Sequence, residues 1–279
     1  MPGRIHVARL LLSLALVGGA ASLSEAAPVT LSDQNSLIEI DPNSQAGVYT
    51  WQVDGTDNLF QRWFWYRIGA SGPESSIDTI SPATVTGFGG TQDGKLTYEN
   101  AALRIEVKYS LMGGAAGSLD SDLGEQIRVT NKTLGTLDLH LFEYTDFDLD
   151  GTASNDTAAM VSPTAVLQTD GSAAIVASES LSVTPAPTHH EINVFSATRD
   201  SLNDGAPTTL NDSPGPVGPG DVTWAFEWDA QIAKGNSILI SKSLKDAPAP
   251  VPEPASLLIF GIGIAGLRRL ERRRIDSER

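Results

Sequence analysis

Eight stretches of this chain alternate apolar and polar residues at period two: SLIEI (36–40), GVYTWQV (47–53), LRIEVKY (103–109), QIRVTN (126–131), LDLHLFEYTDFDL (137–149), INVF (192–195), VTWAFEW (222–228) and SILIS (237–241). Successive side chains of a β-strand point to opposite faces, so the pattern is that of strands with one face turned to a core. Val, Ile, Thr, Tyr, Phe and Trp dominate these stretches, and Gly, Asn, Asp and Pro separate them. Helical periodicity is confined to the two termini. The expected fold is all-β: an antiparallel β-sandwich, jelly-roll-like, in which each sheet covers the apolar face of the other. The stretch NDSPGPVGPG (211–220) carries too many prolines for a ladder and reads as a long surface connection inside the same domain. The chain has no cysteine, so no disulfide staples this fold and thiol chemistry is excluded.

The two ends follow other rules. Arg4, His6 and Arg9 precede an apolar stretch from Leu10 to Ala21, and Ser24-Glu25-Ala26 then supplies small residues three positions and one position before a cut. That is the pattern of a secretory signal peptide over residues 1–26, with Ala21 as a second candidate cleavage position. At the other end, VPEPASLLIFGIGIAGLRRLERRR (251–274) joins a proline-bracketed acid, an apolar run and an arginine block. The run from Ala255 to Leu267, as a helix, covers roughly 20 Å of a hydrocarbon layer about 30 Å thick, short for a permanent span. Arg268, Arg269, Arg272, Arg273 and Arg274 would hold the last residues in the cytoplasm while the rest is exported. Gly261, Gly263 and Gly266 spell a dinucleotide-binding pattern, but no strand precedes them and arginines follow, so they read as helix-packing glycines.

Val251, Pro252, Glu253 and Pro254, then one apolar helix, then the arginine cluster, resemble the sorting signal of PEP-CTERM proteins. The resemblance covers about a tenth of the chain. It implies that exosortase, a membrane-embedded cysteine protease, recognises the tail, cuts near the Pro-Glu-Pro motif and passes the exported part to the cell surface or matrix. It also implies a Gram-negative host that makes exopolysaccharide and biofilm matrix. The expected organisation is therefore a signal peptide (1–26), an extracellular β-sandwich (27–244), a proline-rich linker (245–254), a transmembrane helix (255–267) and a basic cytoplasmic tail (268–279). The precursor is tethered to the inner membrane. Prolines on both sides of Glu253 keep the backbone extended, a form a protease can grip.

Between residues 27 and 247 stand 11 Lys and Arg against 29 Asp and Glu, a net charge of −18. Nucleic acid is a poor partner for such a surface, whereas divalent cations are drawn to it. The densest acidic segment is FEYTDFDLDGTASNDT (142–157). Asp146, Asp148, Asp150 and Gly151 match the first half of a calcium-loop pattern, with Thr157 where its closing glutamate would stand. Three carboxylates along one strand face call for a counter-ion, which makes these residues candidate calcium ligands. With Glu143 they also form a candidate glycosidase set. In LFQRWFWYRIG (59–69), Trp63 and Trp65 share a strand face and are candidates for stacking on a glycan. In His189-His190-Glu191, only His189 and Glu191 share a face. The expectation is a non-enzymatic surface or extracellular-matrix protein. A carbohydrate-binding or calcium-stabilised adhesion module and a secreted polysaccharide-active hydrolase are its alternatives, with exopolysaccharide the partner in either case.

Overall fold

The computed structural model describes residues 27–171, 175–181 and 185–249. The expected signal peptide, the Val251–Pro254 motif, the apolar run expected to cross the membrane and the arginine cluster lie outside the described residues. Eighteen strands follow along the described chain: β1 (Val29–Asp33), β2 (Ser36–Asp41), β3 (Gly47–Val53), β4 (Thr56–Asp57), β5 (Leu59–Ile68), β6 (Ser75–Ser76), β7 (Thr84–Gly87), β8 (Asp93–Glu99), β9 (Leu103–Gly113), β10 (Ser121–Asn131), β11 (Leu137–Phe147), β12 (Asp156–Ser162), β13 (Ala165–Asp170), β14 (Ile175–Leu181), β15 (His189–Val194), β16 (Val217–Gly220), β17 (Val222–Ile232) and β18 (Ser237–Pro248). They form two sheets of nine, antiparallel except where β3 meets β5, which makes a sandwich larger than an eight-stranded jelly roll. The first sheet runs β1-β2-β3-β5-β11-β17-β15, with β4 and β6 attached at its sides. The second runs β16-β12-β13-β14-β18-β10-β9-β8-β7.

All eight alternating stretches form strands, although 137–149 leaves β11 after Phe147 and 192–195 leaves β15 after Val194. Two expectations change. The proline-rich 211–220 stretch ends in β16, which pairs at the edge of the second sheet through Val217 and Gly220, so Pro219 sits where a missing amide costs no central ladder bond. The residues from Lys245 to Pro248, expected in the linker, continue β18 between β10 and β14.

Aromatic side chains fill the space between the sheets. Phe147 stacks on Trp224 with centroids 5.5 Å apart and leans on Trp51 at 5.7 Å. Each such ring removes about 150–250 Å² from water, worth roughly 4–6 kcal/mol. The opposite face of the first sheet is covered too, by the chain near 69–82 and by the segment that includes the short helix α1 (Ala197–Ser201). Trp65 Nε1 donates to Asn203 Oδ1 at 3.4 Å, Arg67 Nη2 donates to the Thr208 carbonyl at 3.0 Å, and the Leu210 amide donates to Glu227 Oε2 at 2.8 Å. Hence the central strands β5, β11 and β17 are buried on both faces despite their alternating sequence.

Five ionisable groups interrupt the apolar interior. Arg62 and Glu143 from the first sheet meet Glu125, Glu179 and Lys242 from the second, and all five are buried. Arg62 forks onto Glu125 with Nε–Oε1 at 3.2 Å and Nη2–Oε2 at 2.8 Å, and reaches both Glu179 oxygens at 3.3 Å. Lys242 Nζ lies 3.0 Å from Glu125 and 4.7 Å from the centre of the Phe64 ring. Glu143 pairs with both cations, and Trp224 Nε1 donates to Glu179 Oε2 at 2.8 Å. Burial pushes Glu143 up to about 8, so it carries a proton at neutral pH. For Glu179 burial pulls the same way, but Arg62 and Lys242 outweigh it and hold the carboxyl at about 2. Two cations therefore face two carboxylates, and the cage is neutral where the dielectric is lowest.

Candidate functional site

An open cleft of about 980 Å³ lies at one end of the first sheet. Ser44, Gln45 and Tyr49 form one wall, and Asp57, Phe60 and Gln61 line the floor at the start of β5. Asp148, Gly151, Arg199 and Asp200 close the other side. Phe60 is 47% exposed, an unusual state for a large aromatic in this chain. It meets Phe195 edge to face at 5.6 Å, and the Arg199 guanidinium lies 4.6 Å above the Phe195 ring. An exposed ring bordered by carboxylates and a guanidinium offers a stacking plane and hydrogen-bonding groups to one ligand.

Beside the cleft, one carboxylate oxygen from each of Asp146, Asp148 and Asp221 lies within 4.8 Å of the others. Asp146 and Asp148 are two of the three aspartates singled out in the sequence, but the third partner is Asp221, not Asp150. Buried Asn58 sets this geometry. Its carbonyl accepts from the Asp148 amide at 2.9 Å, its Oδ1 accepts from the Asp150 amide at 3.0 Å, and its Nδ2 donates to Asp246 Oδ2 at 2.5 Å. The chain turns there with Asp150 at φ +60° and Gly151 at φ +68°, and the exposed Asp150 side chain leaves the strand face. Asp221 enters through register. Asp146 stands opposite Thr223 at the end of the β11–β17 ladder, and this brings Asp221, just before β17, near Asp148, just beyond β11.

Asp146 is 1% exposed; its Oδ2 accepts from the Tyr144 hydroxyl at 3.0 Å and its Oδ1 has no hydrogen-bond partner. Burial, reinforced by the charges of Asp221 and Asp148, pushes Asp146 up to about 8. Burial raises Asp148 to about 6, and burial also raises Asp221. Three carboxylates this close hold a shared proton at neutral pH or a cation in its place. Arg199 offers only partial compensation to Asp146 and Asp221, since its Nη1 donates to Gln61 at 3.3 Å.

The other candidates fall elsewhere. Trp63 and Trp65 are fully buried and each indole N–H is engaged, Trp63 with Ser76 Oγ at 2.9 Å and Trp65 with Asn203. Neither ring has a face free for a sugar, because the chain near 69–82 and near 203 covers them; Phe60 is the exposed aromatic of the same strand. Glu143 points between the sheets into the ion cage, on the face opposite Asp146, which removes it from any catalytic pair with that residue.

The PEP-CTERM protein-sorting motif matches residues 250–274 of this chain. No curated protein matches the sequence. Among solved structures, a provisionally assigned aldose 1-epimerase from Escherichia coli K12 superposes with TM-score 0.55 at 10% identity, over 80% of this chain and 99% of that one. The Slr1438 protein from Synechocystis sp. PCC 6803 gives 0.52 at 12% identity, over 85% and all of its length. A bacterial glucoamylase solved with acarbose gives 0.54 at 11% identity over 78% of this chain, which spans only 31% of the glucoamylase. At these identities the likeness concerns the fold alone.

Proposed function

We propose that this protein is an exported component of the bacterial surface or extracellular matrix, sorted and cut by exosortase, whose sandwich binds saccharide without transforming it. The sorting motif at 250–274 carries the first half of the reading. The cleft carries the second: exposed Phe60 supplies a stacking plane, Arg199 pairs with an acidic sugar, and a calcium ion held by Asp146, Asp148 and Asp221 bridges to ligand oxygens. A cation held among the three carboxylates would occupy groups that hydrolysis would need as acid and base, which favours binding. The resemblance of the fold to sugar-acting proteins is compatible with a saccharide ligand.

Replacing Pro252, Glu253 and Pro254 by alanine should leave a full-length, membrane-bound form accumulating; a normally shortened product would refute the sorting half. For the binding half, Phe60→Ala in the exported form should abolish retention on the host's acidic exopolysaccharide while the melting curve stays put. Retention that survives Phe60→Ala, or reducing ends released from the polysaccharide, would refute it.

A further inference from the structure

Two of the three histidines among the described residues, His140 and His189, lie on one face of the first sheet, and neither lines the cleft. His140 on β11 stands opposite Asp229 on β17, and Glu227, two residues earlier on β17, stands opposite His189 on β15. Neighbouring rungs of three adjacent strands thus present two imidazoles and two carboxylates on one face. Glu227 is fully buried. Its Oε2 accepts from the Leu210 amide, but its Oε1 has no hydrogen-bond partner and lies 3.7 Å from His140 Nδ1. His140 Nδ1 also pairs with Asp229 Oδ1, while its Nε2 has no hydrogen-bond partner. One donor atom from each of His140, Glu227 and Asp229 lies within 4.8 Å of the others.

His189 lies at the rim of this trio, beside Asp229. Its Nε2 lies 3.9 Å from Asp229 Oδ2, and its Nδ1 is held 2.9 Å from Asp212 Oδ2. A carboxylate on one ring nitrogen fixes the tautomer and leaves the other nitrogen's lone pair facing the patch, as around metal-bound histidines. We propose that His140, Glu227 and Asp229, with His189 as fourth donor and Asp212 orienting it, bind a first-row transition cation, with zinc the expected ion. The mixed nitrogen and oxygen donor set suits zinc and not calcium, which takes oxygen ligands alone. Donors about 2.0–2.1 Å from a tetrahedral ion are about 3.3 Å apart, so the 3.7 Å between His140 and Glu227 closes with a small side-chain movement, whereas His189, 3.9 Å from Asp229 but outside the trio, must swing further inward to ligate. Solvent reaches the patch, since the His140, His189 and Asp229 side chains are 15, 28 and 32% exposed. The site stands independently of the saccharide reading, because none of its residues lines the cleft.

The processed protein, stripped with chelator and titrated with zinc by calorimetry, should take up one equivalent with release of protons. Cobalt(II) should give the intense visible absorption of a four-coordinate ion. His140→Gln and His189→Gln should each weaken zinc binding more than tenfold, and Asp212→Asn by about 10-fold to 100-fold through the orienting bond alone. Tryptophan fluorescence of each variant checks that it folds. No saturable uptake by the folded parent protein, uptake unchanged in His140→Gln, or uptake lost only in Asp146→Asn would each overturn the proposal, the last by moving the ion to the aspartate trio. Should one histidine variant fail to fold, Asp212→Asn, on the exposed loop, still decides between the outcomes.

Discussion

Glu143 gives the sharpest test of the buried ion cage. Its carboxyl, ordinarily near 4.5, is pushed up to about 8 by burial between the sheets. The folded state therefore keeps a proton that the unfolded chain gives up above pH 4.5. Stability from this group is complete below about 4.5 and is lost as pH rises toward 8. In Glu143→Gln the neutral amide stands for the protonated acid at every pH, and any fixed difference in hydrogen bonding cancels when two pH values are compared. The gap in unfolding free energy should move in favour of Glu143→Gln by about 1.4 kcal/mol per pH unit, about 2.7 kcal/mol between pH 5 and pH 7. Urea denaturation followed by tryptophan fluorescence reads this directly, because all five tryptophans are buried. The urea dependence of the free energy should be the same in both proteins, so that the midpoints report stability. A gap constant to within about 0.5 kcal/mol over that range would refute the reasoning and mean that Glu143 is ionised in the folded cage.

Arg62→Met should cost at least 3–5 kcal/mol in the same assay at pH 7, since it leaves Lys242 alone among three buried carboxyls; a loss under about 1 kcal/mol would show that water enters between the sheets. With calcium at ten times its dissociation constant the melting midpoint should rise by the equivalent of about 1.4 kcal/mol, and Asp221→Asn should remove the rise while Asp150→Asn keeps it; an unchanged midpoint at millimolar calcium refutes the trio as a calcium site. Gly47→Ala should destabilise by about 1–3 kcal/mol, because Gly47 sits at φ +57° and a methyl there would overlap the Trp63 ring; thermal melting checks it. Ten Gly/Ser residues inserted between Ala249 and Pro250 should speed exosortase processing in a pulse-chase, and an unchanged rate would mean that closeness of the folded domain does not limit the protease.

Architecture was legible in the sequence wherever one face of a strand is apolar and β-branched. Strands β2, β3, β9, β10, β11, β15, β17 and β18 were read correctly in kind, if not in length. Strands β12, β13 and β14 were not, because AAMVS, AVLQTD and IVASESL carry small or weakly β-forming residues and their alternation is faint. Aromatic runs misled in the other direction. In QRWFWYR the residues of the second face looked available to a ligand, but chain from 69–82 and from near 203 lies over them, and no local pattern announces that a loop will cover a sheet. The candidate sites divide the same way. Asp146 and Asp148 are two residues apart and visible as a pair, whereas Asp221 and the partners of His140 arrive through strand register across more than 70 residues. Charged residues at inward positions of alternating strands, such as Arg62 in QRWF and Lys242 in SKSL, were the one overlooked signal. Period two alone assigns each of them to a core face.

The strand that locks the sheets is also the one that leads to the tail. β18 lies centrally in the second sheet, bonded to β10 from Ser237 to Asp246 and to β14 from Lys242 to Pro248. It delivers Lys242 to the ion cage and Asp246 to Asn58, the residue that shapes the aspartate turn beside the cleft. From Pro248 to Pro252 the chain has four steps, about 13 Å fully extended. A precursor held through the sorting motif at 250–274 would keep its folded domain within that distance of the motif. Because β18 is paired on both sides from Lys242 to Asp246 and carries a buried cation, the contact of Asp246 with Asn58, which shapes the turn beside the cleft, is fixed by the centre of the second sheet.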